Sequence, residues 1–268
     1  MNLFFIQLST CQITTTKQIR TMSFYTNTQL TQVSDFDTDC IVFDKPVLGN
    51  VPNSTMTFKR INIGYKNSDG SIGECIIPTE KLFSFGVQEN KDMATGRING
   101  YQAPLVMWSK GGATDREKAF TDLFDEIVNK CKNWIVSDEG KDSTENYEIE
   151  INDLKKLNPM YIKKEKGKPV EGASPTLYCK LIHSKKDDKI LTEFYNEDGV
   201  VYDAREDLMN KMCEMTCGIR FESIFVGNKI SLQVKLIEAE VVLRQSGGSR
   251  RLLTTKPKIV RRVSDITE

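Results

Sequence analysis

The chain has 268 residues, of which 39% are hydrophobic and 28% are charged, so it is long and apolar enough to bury a core in one large or two small domains. Lysine plus arginine and aspartate plus glutamate both number 37, which excludes a global field that attracts nucleic acid or membrane. Residues 244–268, however, carry seven basic and two acidic side chains. The sequence therefore predicts a flexible basic C-terminal tail on a mildly acidic body.

The N-terminal segment, residues 1–21, has a short apolar patch but no basic start and no small-residue cleavage pattern. It is a poor signal peptide, and we interpret it as a disordered leader or a start-site artefact. No later stretch reaches the length of a transmembrane helix, so we expect no membrane partner and no secretion.

The N-terminal half of the remaining chain reads as strands. Residues 57–66 alternate apolar and polar side chains, and the turn at 67–70 leads to a second strand near 72–77, which indicates a hairpin. A further strand is predicted at 103–109, ended by two glycines.

The clearest helix begins after Thr114. Thr114 and Glu117 form a capping-box pattern, and apolar residues from Phe120 to Ile135 recur at helical spacing. Residues 138–168 follow with separated acidic and basic runs, which predicts a charged surface excursion with one short helix or strand.

The last third is again rich in strands. A strand at 176–182 is predicted to pair with 189–195, and a short helix is predicted at 204–215, capped by Asp203 and Glu206. Residues 219–226 and 229–243 form the two strands of a hairpin about Gly227 and Asn228.

The final strand inverts its pattern of apolar residues. Up to Leu236 the apolar side chains are even-numbered, and from Ile237 they are odd-numbered. A β-bulge produces this slip and sharpens the coiling of a sheet. The sequence therefore predicts a mainly β fold, a barrel with two or more helices, formed by one domain over residues 22–243.

Chemistry-bearing motifs do not point to an enzyme. His183, the only histidine, lies in a polar turn without a nucleophile motif, and the seven cysteines lack zinc-ligand spacing. The apolar phases of Cys131, Cys179 and Cys213 favour buried thiols in a reducing compartment. We expect no catalytic residue, no metal and no cofactor.

Aromatic residues recur next to basic residues on the predicted strands. Single-strand binding needs this combination, because aromatic rings stack on bases while cations neutralise phosphates. The alternative is that aromatic residues favour strands and lysines favour their exposed faces without any ligand. The candidate nucleic-acid-binding residues are Arg60, Tyr65, Lys66, Trp108, Tyr178, Lys180, Arg220, Phe221, Arg250, Arg251, Arg261 and Arg262. For the aromatic residues among them, a role in the core is the alternative.

Four stretches carry a family resemblance: SPTLYCKLI from Ser174, ILTEFYNEDGVVYD from Ile190, CGIRFESIFVGNKISLQVKLIEAEVV from Cys217, and RRLL from Arg250. They resemble an uncharacterised protein family of large nucleocytoplasmic DNA viruses. That family is similar to the OB-fold single-stranded DNA-binding proteins of short-tailed phages. The phage proteins end in an acidic tail, whereas this chain ends in KPKIVRRVSDITE.

The resemblance implies an elaborated OB-fold-like barrel that binds single-stranded DNA in viral replication, recombination or repair. Viral replication proteins are implied partners, and the host cytoplasm or nucleus is the implied location. The alternative function is that of a structural or scaffold protein of the virion or replication factory, without enzyme activity. The sequence leaves the oligomeric state open.

Overall fold

The computed structural model describes residue 25 and the ranges 27–50, 55–93, 95–109 and 111–244. The predicted leader at 1–21 and the predicted tail beyond residue 244 lie outside the described residues. The strands of the N-terminal part are β1 (Ile41–Phe43), β2 (Val47–Asn50), β3 (Thr57–Lys66), β4 (Ile72–Glu74), β5 (Ile76–Pro78), β6 (Leu82–Ser84), β7 (Gln88–Lys91) and β8 (Ile98–Val106). The later strands are β9 (Met160–Tyr161), β10 (Lys164–Glu165), β11 (Lys168–Pro169), β12 (Thr176–Leu181), β13 (His183–Ser184), β14 (Lys189–Ile190), β15 (Glu193–Tyr195), β16 (Cys213–Val226) and β17 (Ile230–Leu243).

Five strands close into a barrel. The ring runs β16, β6, β8, β12 and β17, and it closes because β17 pairs with β16 along almost its whole length. The pairs are antiparallel except β12 with β17, which is parallel. The fold is thus a mostly β barrel consistent with an OB fold, as predicted.

The predicted bulge in the last strand is present. Gly218 lies opposite Glu238 and Ile219 lies opposite Leu236, so Ile237 is the extra residue. Leu236 and Ala239 on either side of the bulge are both buried, because the extra residue resets which side chains face inward. A second irregularity leaves Glu222 as the extra residue on β16.

Helix α1 (Asp115–Val136) packs against the barrel. The Thr114 Oγ1 atom accepts a hydrogen bond from the Glu117 N–H at 3.2 Å, and the Glu117 side chain accepts one from the Thr114 N–H, as the capping-box pattern predicted. The Phe124 ring, fully buried, lies 4.9 Å from the Phe221 ring on β16. The apolar stripe of α1 therefore covers part of the barrel interior.

The charged excursion is attached to the core at several points. It contains α2 (Asp138–Thr144), a 3₁₀ turn at Ile151–Leu154, and the small strands β9, β10 and β11. Ile149, Leu154 and Leu157 are buried, and β9 adds to the sheet beside β12. These apolar side chains hold a segment whose overall composition predicted only a surface excursion.

Two sequence predictions need correction. The predicted pairing of 176–182 with 189–195 forms only next to its turn, where β13 pairs with β14 and the Leu191 N–H donates to the Ile182 carbonyl. Beyond the turn, β12 and β15 both run parallel to β17 instead of pairing with each other. The helix predicted at 204–215 is a series of turns followed by β16. Asp203 does cap the backbone N–H groups of Arg205 and Glu206. The next turn, however, is bound to Val87, the residue before β7: the Val87 N–H donates to the Leu208 carbonyl and the Val87 carbonyl accepts from the Asn210 N–H.

Candidate functional site

The outer surface of β12 combines an aromatic and a basic side chain. Leu177, Cys179 and Leu181 point into the barrel and are buried, so the alternation of the strand turns Tyr178 and Lys180 outward. The Tyr178 side chain is 43% exposed. A ring in this position is open to a planar ligand while its strand is held by neighbours.

A second tyrosine lies beside Tyr178. Strand β9 pairs with β12 so that Tyr161 is opposite Thr176, which lies on the same face as Tyr178. The two tyrosine rings meet edge to face, with centroids 6.4 Å apart and planes at 72°. Tyr161 is 54% exposed. Two exposed rings thus continue one surface across two strands.

Two lysines lie side by side near the C-terminal end of β12, one on β12 and one on β17. Lys180 is in register with Lys235 on the parallel strand β17, so the two ammonium groups belong to the same face. The Lys180 Nζ atom donates to Gln233 Oε1 at 2.9 Å, and the Lys235 Nζ atom lies 2.8 Å from Glu222 Oε1. Removal from water and, next, the neighbouring Lys235 charge lower the pKa of Lys180.

These five residues define one surface, the tyrosine–lysine face: Tyr161, Tyr178, Lys180, Gln233 and Lys235. It offers ring surfaces at one end and positive charge at the other. An extended polyanion with planar groups needs this combination of chemistry. The backbone of the face is held in place by the closed barrel, so the side chains are positioned before a ligand arrives.

Arg220, predicted as a nucleic-acid-binding residue, is committed to the protein itself. Its guanidinium group is paired with Glu74, and it also donates to Glu222 Oε1 at 2.9 Å. Arg220 is only 6% exposed. The correction follows from the charges of its neighbours, since a guanidinium group held between two carboxylates has no free charge for a phosphate.

Two predicted stacking residues, Tyr65 and Phe221, are core residues. Phe221 is 0% exposed and packs on Phe124, and Tyr65 is 6% exposed with its ring against Phe36. The Tyr65 hydroxyl accepts a hydrogen bond from the Asp37 backbone N–H at 3.1 Å. Neither ring presents a surface on which a base can stack, so the core alternative applies to both.

The remaining predicted residues are dispersed. Trp108 is partly buried against the core. Arg60 lies on β3, which β16 and β17 separate from β12. Lys66 is exposed at the end of β3, beyond the part that pairs with β16. The structure therefore does not bring Arg60 or Lys66 together with Tyr178 and Lys180, whereas Trp108 lies beside the start of β12, where its backbone N–H donates to Ser174 Oγ at 2.9 Å.

Four predicted phosphate contacts cannot be placed. Arg250, Arg251, Arg261 and Arg262 all lie outside the described residues. They remain sequence predictions.

Three members of the face were not among the predicted site residues: Tyr161, Gln233 and Lys235. Tyr161 precedes Ile162, Lys163 and Lys164 and so shows the same combination of aromatic and basic residues. No partner strand was predicted for that segment, however. Lys235 required knowledge that β12 and β17 lie side by side in parallel. Such a contact joins segments 55 residues apart and leaves no local pattern.

Within the described ranges, no group of three histidine, cysteine, aspartate or glutamate side chains is arranged to hold a metal ion. The same ranges contain no helix that is both long and apolar enough to cross a membrane.

Together the fold and the face define a class: a mostly β protein with a closed five-stranded, OB-like barrel that presents tyrosines and lysines on its outer surface. Residues 34–266 match the family described as a protein of unknown function, DUF2738. The chain therefore belongs to the DUF2738 family.

Two viral proteins are similar to this chain. The early 31 kDa protein of frog virus 3 (isolate Goorha) is 26% identical over 215 residues, which cover 78% of each chain. The uncharacterised protein 007R of invertebrate iridescent virus 3 is 24% identical over 190 residues, or 70% of this chain. The match covers 39% of that second, longer relative. The family is thus one of large DNA viruses.

Proposed function

We propose that this viral protein binds single-stranded DNA without catalysing a reaction, and that it acts in viral replication, recombination or repair. The tyrosine–lysine face is the single observation that carries the proposal. Its exposed rings and adjacent ammonium groups match the two requirements for binding a single strand irrespective of sequence.

The spacing of the rings supports stacking. Tyr161 and Tyr178 are in contact at 6.4 Å between centroids, and both are more than two-fifths exposed. Bases that are unpaired offer their flat surfaces, whereas duplex DNA keeps these surfaces stacked inside. The face therefore favours a single strand over a duplex.

The two lysines support a phosphate contact. Lys180 and Lys235 are like charges in register, and Glu222 forms an ion pair with Lys235. A phosphate between the ammonium groups relieves their repulsion, and it also favours the charged form of Lys180, whose pKa the surroundings lower. The body of the protein has no overall positive charge, so this contact is local.

Fluorescence polarisation with labelled oligo-dT, measured over a salt series, tests the proposal. We expect binding at low salt that weakens as salt rises, and weaker binding to a duplex of the same length. The absence of binding at low salt, or a preference for duplex, contradicts the proposal. In either case the scaffold function becomes the better hypothesis, and partners that survive nuclease treatment in a pull-down then identify it.

A further inference from the structure

A groove of about 620 Å³ lies between helix α1, residues 32–36 and residues 78–80. Its floor is apolar and includes Val33, Phe36 and Phe120. Its rim carries exposed carboxylates at Asp122 and Glu126. An apolar floor with charged groups at the rim is typical of sites that bind a peptide segment.

The charge of the groove is negative. Glu80, Asp122 and Glu126 line it, and Arg116 is the single basic side chain among the lining residues. Arg116 is mostly exposed, and its Nη1 atom lies 3.9 Å from Glu80 Oε2. Because one loose ion pair leaves two carboxylates uncompensated, a basic segment with apolar anchors fits this groove.

The chain itself contains such a segment. Arg250 and Arg251 precede two leucines, and Arg261 and Arg262 stand between Ile259-Val260 and Val263. Residues 250–263 thus combine arginines and lysines with branched apolar side chains. Their net charge is opposite to that of the groove.

The described chain ends close to the groove. The last strand ends at Leu243, opposite Cys213 on β16, and Thr79 in the groove exchanges two 2.9 Å hydrogen bonds with Cys217 on the same strand. Cys213 and Cys217 are four residues apart on β16, which corresponds to ~13 Å. The Arg244 guanidinium group also lies 4.6 Å from the Phe83 ring centroid, three residues from Glu80.

The connecting length is sufficient. Arg250 is six residues beyond Arg244 and Arg261 is seventeen beyond it, so an extended chain reaches ~20 Å and ~55 Å respectively. A segment tethered this near to its site has an effective concentration in the millimolar range. Modest contacts are then enough to keep it bound.

We propose that the groove binds residues 250–263 of the same chain, with their apolar side chains on its floor and their arginines against Asp122 and Glu126. This contact is separate from the tyrosine–lysine face and does not depend on nucleic acid. When no nucleic acid is bound, the arginines of residues 250–263 therefore contact the carboxylates of the groove.

Photo-crosslinking of the full-length protein, without nucleic acid, tests the inference. A benzoylphenylalanine at Ala119, an exposed residue that lines the groove, is expected to crosslink to residues 250–263. The same photo-reactive residue at Asn133, exposed on the same helix away from the groove, serves as the matched control. Peptide mass spectrometry locates both sets of crosslinks.

Charge exchange then tests the electrostatic part. Asp122→Lys with Glu126→Lys is expected to lower the crosslink yield about fivefold, and further Arg261→Glu with Arg262→Glu is expected to restore it. Glu148→Lys with Glu171→Lys, two exposed carboxylates outside the groove, leaves the yield unchanged. Circular dichroism confirms that each variant is folded.

Three outcomes overturn the inference. The first is a yield from Ala119 no higher than from Asn133, and the second is a failure of the exchanged charges to restore the crosslink. The third is a crosslink that joins isotopically labelled to unlabelled chains, because it places the tail in the groove of another copy. None of these outcomes bears on DNA binding, so the two proposals fail or succeed separately.

Discussion

The surroundings of Lys180 lower the pKa of its ammonium group. Its pKa lies below the ordinary value of 10.5 because of desolvation and the nearby Lys235 charge. A phosphate favours the charged ammonium group, so binding is linked to protonation of Lys180. Affinity for a single strand is therefore expected to fall as the pH rises through the lowered pKa of Lys180. The fall begins at a lower pH than it would for a lysine with the ordinary pKa.

Lys180→Arg removes this pH dependence, because a guanidinium group stays charged throughout the range from neutral to alkaline pH. Oligo-dT affinity measured from neutral to alkaline pH compares the two proteins. Equal pH profiles for the variant and the unaltered protein rule out Lys180 as the linked group.

Among the predicted stacking residues, Tyr178 has the most exposed ring. Tyr178→Ala is expected to weaken oligo-dT binding by about 1–3 kcal/mol, the usual contribution of one stacked base. Tyr147→Ala is the matched control, since Tyr147 is a more exposed tyrosine away from the face. Polarisation titrations measure both variants, and equal affinities for the two would exclude Tyr178 from the site.

Arg220 is expected to serve stability instead of binding. Arg220→Ala leaves the mostly buried Glu74 carboxylate without its cation, whereas Glu222 keeps Lys235, so the free energy of unfolding should fall by about 3 kcal/mol. Arg244→Ala breaks an exposed pair with Glu214 and should cost less than about 1 kcal/mol. Urea denaturation measures both; similar losses would show that the buried position of Arg220 has no special importance.

At the scale of elements, the turn segment before β16 shows how tertiary contacts override a helix pattern. Its backbone is bound to Val87, the residue before β7, and Gly86 lies at φ +80°, where a Cβ atom would meet the carbonyl oxygens of Leu208 and Lys211. The helix pattern is local, whereas these contacts join residues more than 100 positions apart.

Gly86→Ala is accordingly expected to lower the free energy of unfolding by more than about 1 kcal/mol, because both the backbone angle and the space oppose it. Gly100→Ala on β8 is the control, since no atom lies within 4 Å of its added Cβ. Thermal or urea unfolding distinguishes them. A loss confined to the Gly100 variant would contradict this account of the turn.

For the whole molecule, charge is balanced overall but unevenly placed. A neutral protein has no field to attract DNA from a distance, so its salt response reports the number of local phosphate contacts. If Lys180 and Lys235 each neutralise one phosphate, Lys180→Gln with Lys235→Gln should make the slope of log affinity against log salt shallower by about 1.4.

The control for this measurement is Lys155→Gln with Lys156→Gln, which removes the same charge from an exposed turn outside the face. A slope that changes equally in both double variants would mean that net charge, not the face, controls binding.

Local patterns determined much of this fold from the sequence alone. The strand at 57–66 with the turn after it, the capped helix from Thr114 and the bulge at Ile237 were all predicted, because each depends on the periodicity or capping of neighbouring residues. The tertiary structure alone decided which segments lie side by side. It placed β12 parallel to β17, and so joined Tyr178 and Lys180 to Lys235.

The same distinction separates the candidate residues. Arg220 with Phe221 and Tyr178 with Lys180 are both combinations of a basic and a nearby aromatic residue in the sequence, yet the first pair is buried and the second is on the surface. Burial depends on what covers a strand from outside, and that cover comes from distant parts of the chain. The sequence determined which strands form, and only their packing determined which faces remain open to a ligand.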